Sequence, residues 1–137
     1  MSLTPHGPGF SFLDSFEVTL AGREGRGRKW LDPKLSFFAD HFPERPLMPG
    51  VLLIECGAQA AGALWASTLA ADAPAHFVLA QVVQFKIQQP VMPGETIETN
   101  VVLEKSLGSL AQFEIILGVK QIEVARGRLV LSSSALP

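Results

Sequence analysis

The sequence predicts an α+β fold, a curved antiparallel sheet wrapped around one long central helix. Three observations carry this expectation. Gly50 to about Ser67 is rich in Leu, Ala, Glu and Gln and follows Pro49, a residue that a first helical turn accepts without losing a hydrogen bond. That helix is apolar nearly all round, through Val51, Leu52, Leu53, Ile54, Cys56, Ala58, Ala60, Ala61, Leu64 and Trp65, so burial on all sides is expected. The rest of the chain alternates apolar and polar residues between short turns, which make antiparallel neighbours.

Taken in order, Ser15 to Leu20 ("SFEVTL") alternates and reads as a strand. Glycines at 22, 25 and 27 suggest a turn into a second strand ending near Leu31. Phe37 to Phe42 reads as a short helical turn. The prolines of "FPERPLMPG" predict a stiff, extended loop that cannot join the centre of a sheet. After the helix, Phe77 to Gln88 is a long β-prone run and "PVMPGE" a turn. Ile97, Thr99, Val101 and Leu103 share one face of the next strand, and Glu98, Asn100 and Glu104 the other. Ala111, Phe113, Ile115, Leu117 and Val119 repeat the pattern. Lys120-Gln121 predicts a tight turn into a last strand, Ile122 to Ser132. No internal repeat or linker is visible, so residues 1–137 are expected to form one domain, with 1–8 as a flexible tail.

Composition narrows the function. The chain has 137 residues, is 47% apolar and 18% charged, and carries a formal net charge of −2. Nucleic-acid binding needs clustered positive charge. The one basic-rich stretch, "GREGRGRKW", is interrupted by Glu24 and is expected to be a solvated hairpin tip. Neither a signal peptide nor an apolar run near ~20 residues is visible, so no membrane association is expected. Cys56 is the only cysteine, which fits a reducing, cytoplasmic setting. The three histidines and one cysteine lack metal-ligand spacing, and no glycine-rich nucleotide loop is present, so no cofactor is expected.

Glu55 and Gln59 are the residues with full polar groups in the apolar helix, and their spacing of four puts them on one face. Glu55 either pairs with an arginine from a neighbouring strand or lines a cavity, where desolvation would favour its neutral, proton-donating form. Gln59 is expected to orient the helix or to hydrogen-bond a loop. His41 lies fourteen residues earlier, ahead of the proline-rich loop. It is either a structural or solvated side chain or a general base suited to neutral pH. Gly50 either only initiates the helix, or its backbone N–H at the positive helix end holds a carbonyl oxygen that gains negative charge.

The segment "HFPERPLMPGVLLIECGAQAAG" resembles the active-site segment of the 3-hydroxyacyl-acyl carrier protein dehydratases, which have the hot-dog fold. Every fixed position of the family pattern, H-F-P-x-x-P-x-M-P-G-V-L-x-x-E-x-x-A-Q, is matched from His41 to Gln59. "FSFLDSFEVTL", "VVQFKIQQPVMPGETI" and "EVARGRLVL" resemble other parts of the family more loosely. The resemblance implies that His41 removes the C2 proton of a 3-hydroxyacyl thioester, that Glu55 protonates the leaving C3 hydroxyl, and that the Gly50 N–H polarises the thioester carbonyl. Glu at position 55, where isomerising relatives carry Asp, implies dehydration alone. Phe42, Pro49, Val51 and Gln59 of the same segment are expected to contact substrate. The resemblance further implies an acyl carrier protein with a phosphopantetheine-linked substrate as partner. It also implies a homodimer or trimer of dimers, with His and Glu from different subunits in each site. Arg45, four residues after His41, is the expected carrier-docking residue; Arg23, Arg26, Arg28, Lys29 and Lys86 are further candidates. The chain departs from the pattern at Asp40 and Glu44, which flank His41, at Gln84 in place of an arginine, and in having no tyrosine. Fatty-acid and polyketide- or polyene-type chains both remain open as substrates. The alternatives are a hot-dog thioester hydrolase and a non-catalytic acyl-binding subunit.

Overall fold

In the computed structural model of the chain, residues 11–40, 46–69 and 76–133 are described. Strands β1 (Ser15–Leu20) and β2 (Glu24–Trp30) form a hairpin. A short helix, α1 (Ser36–Asp40), and the long helix, α2 (Gly50–Ala66), follow. Four more strands complete the order: β3 (Val78–Ile87), β4 (Thr96–Leu107), β5 (Leu110–Val119) and β6 (Ile122–Ser132). All six strands form one antiparallel sheet in the order β1-β2-β4-β5-β6-β3. The chain therefore leaves one side of the sheet after β2, crosses it as α2, and returns at the opposite edge as β3. This is the hot-dog arrangement that the motif implied.

The alternation read from the sequence fixes which face meets the helix. Ile97, Thr99 and Val101 of β4 and Ala111, Phe113, Ile115, Leu117 and Val119 of β5 are all buried. They meet Leu53, Cys56, Ala60, Ala61 and Leu64 of α2 in the core. Thr99 and Gln59 are buried polar residues, and no buried side-chain polar atom among the described residues lacks a partner. Trp65 closes the end of α2, stacked on Phe77 at 4.7 Å and tilted against Phe113 at 6.0 Å. Lys120 and Gln121 have φ of 53° and 67°, the twist that a two-residue hairpin turn requires.

Register shifts in β1, β3, β4 and β6 bend the sheet. The sharpest lies in β3, where Gln84 has φ 52° and the register slips between Val83 and Lys86. There Phe85 crosses closely over Gly127 of β6: a Cβ at 127 would sit 2.6 Å from the Phe85 Cα.

Two expectations are corrected. First, α2 is not buried on all sides. Val51 is 71% exposed, and Leu52, Glu55, Ala58 and Gly62, which follow it on one helical face, are only partly buried. The sheet covers the opposite face, leaving an apolar stripe with Glu55 in its middle. Second, the basic-rich stretch is mostly strand. Only its first residues form the hairpin tip, at Gly22 (φ 69°). Arg26 and Arg28 point to Glu98 of β4 at 3.6 and 3.2 Å, Arg26 also bonds Asn100 at 3.1 Å, and Lys29 meets Asp14 at 3.3 Å. These half-exposed pairs add little stability, but they occupy three of the candidate docking cations.

Candidate active site

Helix α2 begins without a side-chain cap. Pro49 (φ −56°, ψ 137°) precedes it in an extended conformation, and the Leu52 N–H returns to the Pro49 carbonyl at 2.9 Å. The N–H groups of Gly50 and Val51 have no acceptor among the described residues, leaving two first-turn donors at the positive end of the helix.

This end opens onto a groove of about 360 Å³ between α2 and the segment after β3. One wall is Leu47, Met48, Pro49, Gly50 and Leu53, the other Ile87 to Val91. A hydrogen bond from Met48 N to Val91 O, 2.8 Å, ties the walls together. The two walls approach closely here: a Cβ at position 50 would meet Ile87 Cδ1 at 2.6 Å, so the end of that side chain would have to shift. The second wall was not anticipated as part of a site, although the sequence holds a signal for it. "PVMPG", 90–94, repeats four of the five residues of "PLMPG", 46–50, so two similar proline loops face each other.

Glu55 lies five residues along the helix from Gly50, about 7.5 Å at the usual rise per residue. Its Oε2 accepts a hydrogen bond from Gln59 Nε2 at 3.0 Å. Gln59 is buried, and its Oε1 accepts from the backbone N–H of Phe12 at 2.7 Å. The expectation that Gln59 bonds a loop is thereby met, by the segment that enters β1. Phe12 itself was missed: a backbone donor leaves no signature in side-chain types. Beside Glu55, burial first and the Glu55 charge second push the Cys56 thiol far up, so Cys56 is a core residue and not a nucleophile.

The expected site residues thus divide. Pro49 and Gly50 line the groove; Glu55 and Gln59 are joined by a hydrogen bond; Val51 stands exposed on the uncovered stripe. The expectations for His41, Phe42 and Arg45, and for Glu44 and the Asp40 side chain, lie outside the described residues. Among the described residues, no group of three or more His, Cys, Asp or Glu is placed to hold a metal ion. No helix there is long and apolar enough to cross a membrane.

Known proteins resemble the chain in sequence and in fold. Residues 19–128 match the family model of the ApeI-like dehydratases, described as ApeI dehydratase. The chain is 32% identical over 126 residues to the 3-hydroxyacyl-[acyl-carrier-protein] dehydratase FabZ of Rhodospirillum rubrum, covering 91% of this chain and 79% of that one. It is also 32% identical over 129 residues to FabZ of Bartonella henselae, covering 94% and 83%. Among solved structures, the dehydratase heterocomplex ApeI:P from Xenorhabdus doucetiae superposes with a TM-score of 0.78 at 18% identity, over 97% of this chain and 89% of that one. The chain belongs to the ApeI-like dehydratase family.

Proposed function

We propose that the chain is a hydro-lyase that converts a 3-hydroxyacyl thioester, carried on an acyl carrier protein, to the trans-2-enoyl thioester in the making of fatty-acid or related acyl chains. The observation that carries this reading is Glu55. It is a carboxyl group in an otherwise apolar helical stripe, fixed by a buried amide, one and a half turns from an open helix N-terminus. The FabZ relatives act on 3-hydroxyacyl groups on the acyl carrier protein, which supports the same substrate class here.

The reaction uses four groups. The thioester carbonyl oxygen docks on the Gly50 N–H, which stabilises the charge that grows there as C2 loses its proton. His41 takes that proton. The C2–H electron pair forms the C2=C3 double bond, the C3–O bond breaks, and Glu55 gives its proton to the departing hydroxyl, releasing water. The Pro49–Gly50 groove receives the part of the substrate next to the carbonyl, with Phe42 and Val51 as apolar contacts. Gln59 acts on Glu55 rather than on substrate.

The proposal includes a homodimer as the minimum unit, each site built from both copies. The uncovered stripe of α2 supports this, as does the edge strand β3, where Val78, Leu79, Val82 and Ile87 are exposed. The similar Xenorhabdus structure is a heterocomplex, which supports a second reading in which a different chain covers the same surface. We place the reaction in the cytoplasm and assign Arg45 as the carrier contact, on the resemblance of its segment to the family motif.

One assay decides the reaction type. Ultraviolet absorbance of the enoyl thioester is followed together with thiol release, using the chain purified alone. Change in absorbance without thiol release supports the dehydratase; thiol release marks a hydrolase; change in neither marks a binding subunit or a missing partner chain, which the mass in solution separates. Mixing His41→Ala with Glu55→Gln subunits should restore part of the activity if each site draws on two copies. No recovery despite verified subunit exchange places the pair within one copy.

A further inference from the structure

The second wall of the groove holds a polar side chain that the reaction does not use. β3 ends at Ile87, and the next two N–H groups share one acceptor: Gln88 N lies 2.8 Å and Gln89 N 3.3 Å from Val124 O of β6. Two residues further on, Val91 O accepts from Met48 N at 2.8 Å. The backbone around Gln89 is thus anchored on both sides, to the sheet and to the segment that enters α2. The two glutamines differ in their side chains. Gln88 Nε2 donates to Glu123 Oε2 at 2.6 Å. The Gln89 amide makes no hydrogen bond with any described residue, and Gln89 is an exposed residue of the groove wall.

Apart from these glutamines the groove is lined by apolar side chains and Gly50. A thioester docked at Gly50 has two parts that could lie here, the acyl tail and the thiol arm. An acyl tail has no hydrogen-bonding group. Laid against this wall it would strip water from the Gln89 amide and give nothing back. The arm on which an acyl carrier protein holds its thioesters is different. It consists of amides joined by short apolar segments, and two methylenes separate the sulfur from the first amide. Each amide offers an N–H and a C=O, and a glutamine side chain has a partner for either. Gly50 lies against this wall, since a Cβ there would be 2.6 Å from Ile87 Cδ1. A carbonyl held by the Gly50 N–H therefore leaves the wall within reach of the arm.

We propose that the groove takes the thiol arm rather than the acyl tail, and that Gln89 is a specificity residue that hydrogen-bonds an amide of that arm. The inference rests on the reading of the chain as a dehydratase of carrier-bound thioesters. It adds the chemical group that the site recognises on the thiol side.

The test varies the thiol and keeps the acyl group. One short 3-hydroxyacyl group is joined to pantetheine, to N-acetylcysteamine, which keeps only the amide nearest the sulfur, and to propanethiol, which has none. Gln89→Leu keeps the bulk of the side chain and removes its amide. It should lower kcat/KM for the pantetheine thioester ~3- to 10-fold, the worth of one hydrogen bond, and mainly through KM. The propyl thioester should lose less than ~1.5-fold. A loss on N-acetylcysteamine equal to that on pantetheine assigns the contact to the nearer amide, and a loss as small as that on propanethiol assigns it to the farther one; both support the proposal. Equal loss on all three thiols overturns it, as does no loss on any. A loss that grows with acyl length and ignores the thiol also overturns it, and gives the groove to the tail. Gln89→Ala, run beside it with thermal midpoints and mass in solution for each protein, decides in the same way should Gln89→Leu aggregate.

A binding measurement separates this inference from the reaction. S-propyl pantetheine, a thioether that cannot react, is titrated by ligand-observed NMR into the parent and into Gln89→Leu. Binding weakened ~3-fold or more by the substitution, in a chain that turns over no thioester, refutes the dehydratase reading and keeps the arm site. Turnover with no dependence on the amides refutes the arm site and keeps the dehydratase. Neither turnover nor binding overturns both.

Discussion

Replacing Glu55 by Gln removes a proton and little else. The two side chains have the same length and shape. The Gln59 Nε2 donor, 3.0 Å from Glu55 Oε2, finds an amide oxygen in the same place. A hydrogen bond of this kind contributes about 0.5–1.5 kcal/mol, and Glu55→Gln retains it. Glu55→Ala discards it and leaves the amide group of Gln59 facing a gap, with part of that cost offset by the higher helix propensity of alanine. The two variants should therefore differ in stability, with Glu55→Ala melting a few degrees lower, on the order of 1 kcal/mol for a domain of this size. They should not differ in chemistry. Neither can protonate the leaving hydroxyl, and loss of a positioned acid costs at least ~10²-fold in rate, about 2.7 kcal/mol of transition-state stabilisation. The assay is the absorbance of the enoyl thioester on a short pantetheine substrate, run in both directions, beside thermal melts of all three proteins. Turnover by Glu55→Gln within a few-fold of the parent would show that the proton comes from elsewhere. A melt for Glu55→Gln as low as that of Glu55→Ala would show that the Gln59 bond does not hold the side chain.

Gly57→Ala should lower stability by roughly 1–3 kcal/mol even though helices favour alanine, because the added Cβ would lie 2.8 Å from Cγ2 of Ile115, a buried, β-branched core residue that cannot swing away; an unchanged or raised melting temperature would mean that α2 sits farther from β5. Glu104 accepts from Gln112 and pairs with Arg128 at 2.9 Å, and these partners, the Gln112 bond foremost, hold its carboxyl below the usual range. A lowered folded-state pKa stabilises the fold above the unfolded value and is lost as pH falls through the folded one; acid melts below about pH 4.5 should thus steepen less with pH in Glu104→Gln than in the parent, and parallel curves would refute the assignment. Cys56, fully buried and pushed far up, should resist a thiol reagent at pH 8 in the native protein and react at once in denaturant; rapid native labelling would mean that α2 leaves the sheet readily.

What the sequence made legible follows from what one chain must bury. β4 and β5 alternate because one face meets α2, so the inward sets Ile97–Thr99–Val101 and Ala111–Phe113–Ile115–Leu117 are legible in the residue pattern alone. The spacing of Glu55 and Gln59 told that they share a face, and the hydrogen bond between them realises it. Other features depend on partners distant in the chain. The arginines of β2 read as solvated because their acceptors, Glu98 and Asn100, are set by the register with β4, some seventy residues away. The Gln59–Phe12 bond spans 47 positions and ends on a backbone group. Helix α2 is the most instructive difference. Apolarity nearly all round implies burial nearly all round, yet the sheet covers only the side of Leu53, Cys56, Gly57, Ala60 and Leu64. Composition records what a side chain must be shielded from, not which chain shields it. Val51 is exposed and Leu52, Ala58 and Gly62 are only partly buried although all four have the composition of a core, and Glu55 sits among them. The carboxyl group there is partly buried in the single chain, and whatever covers the stripe would shield it further.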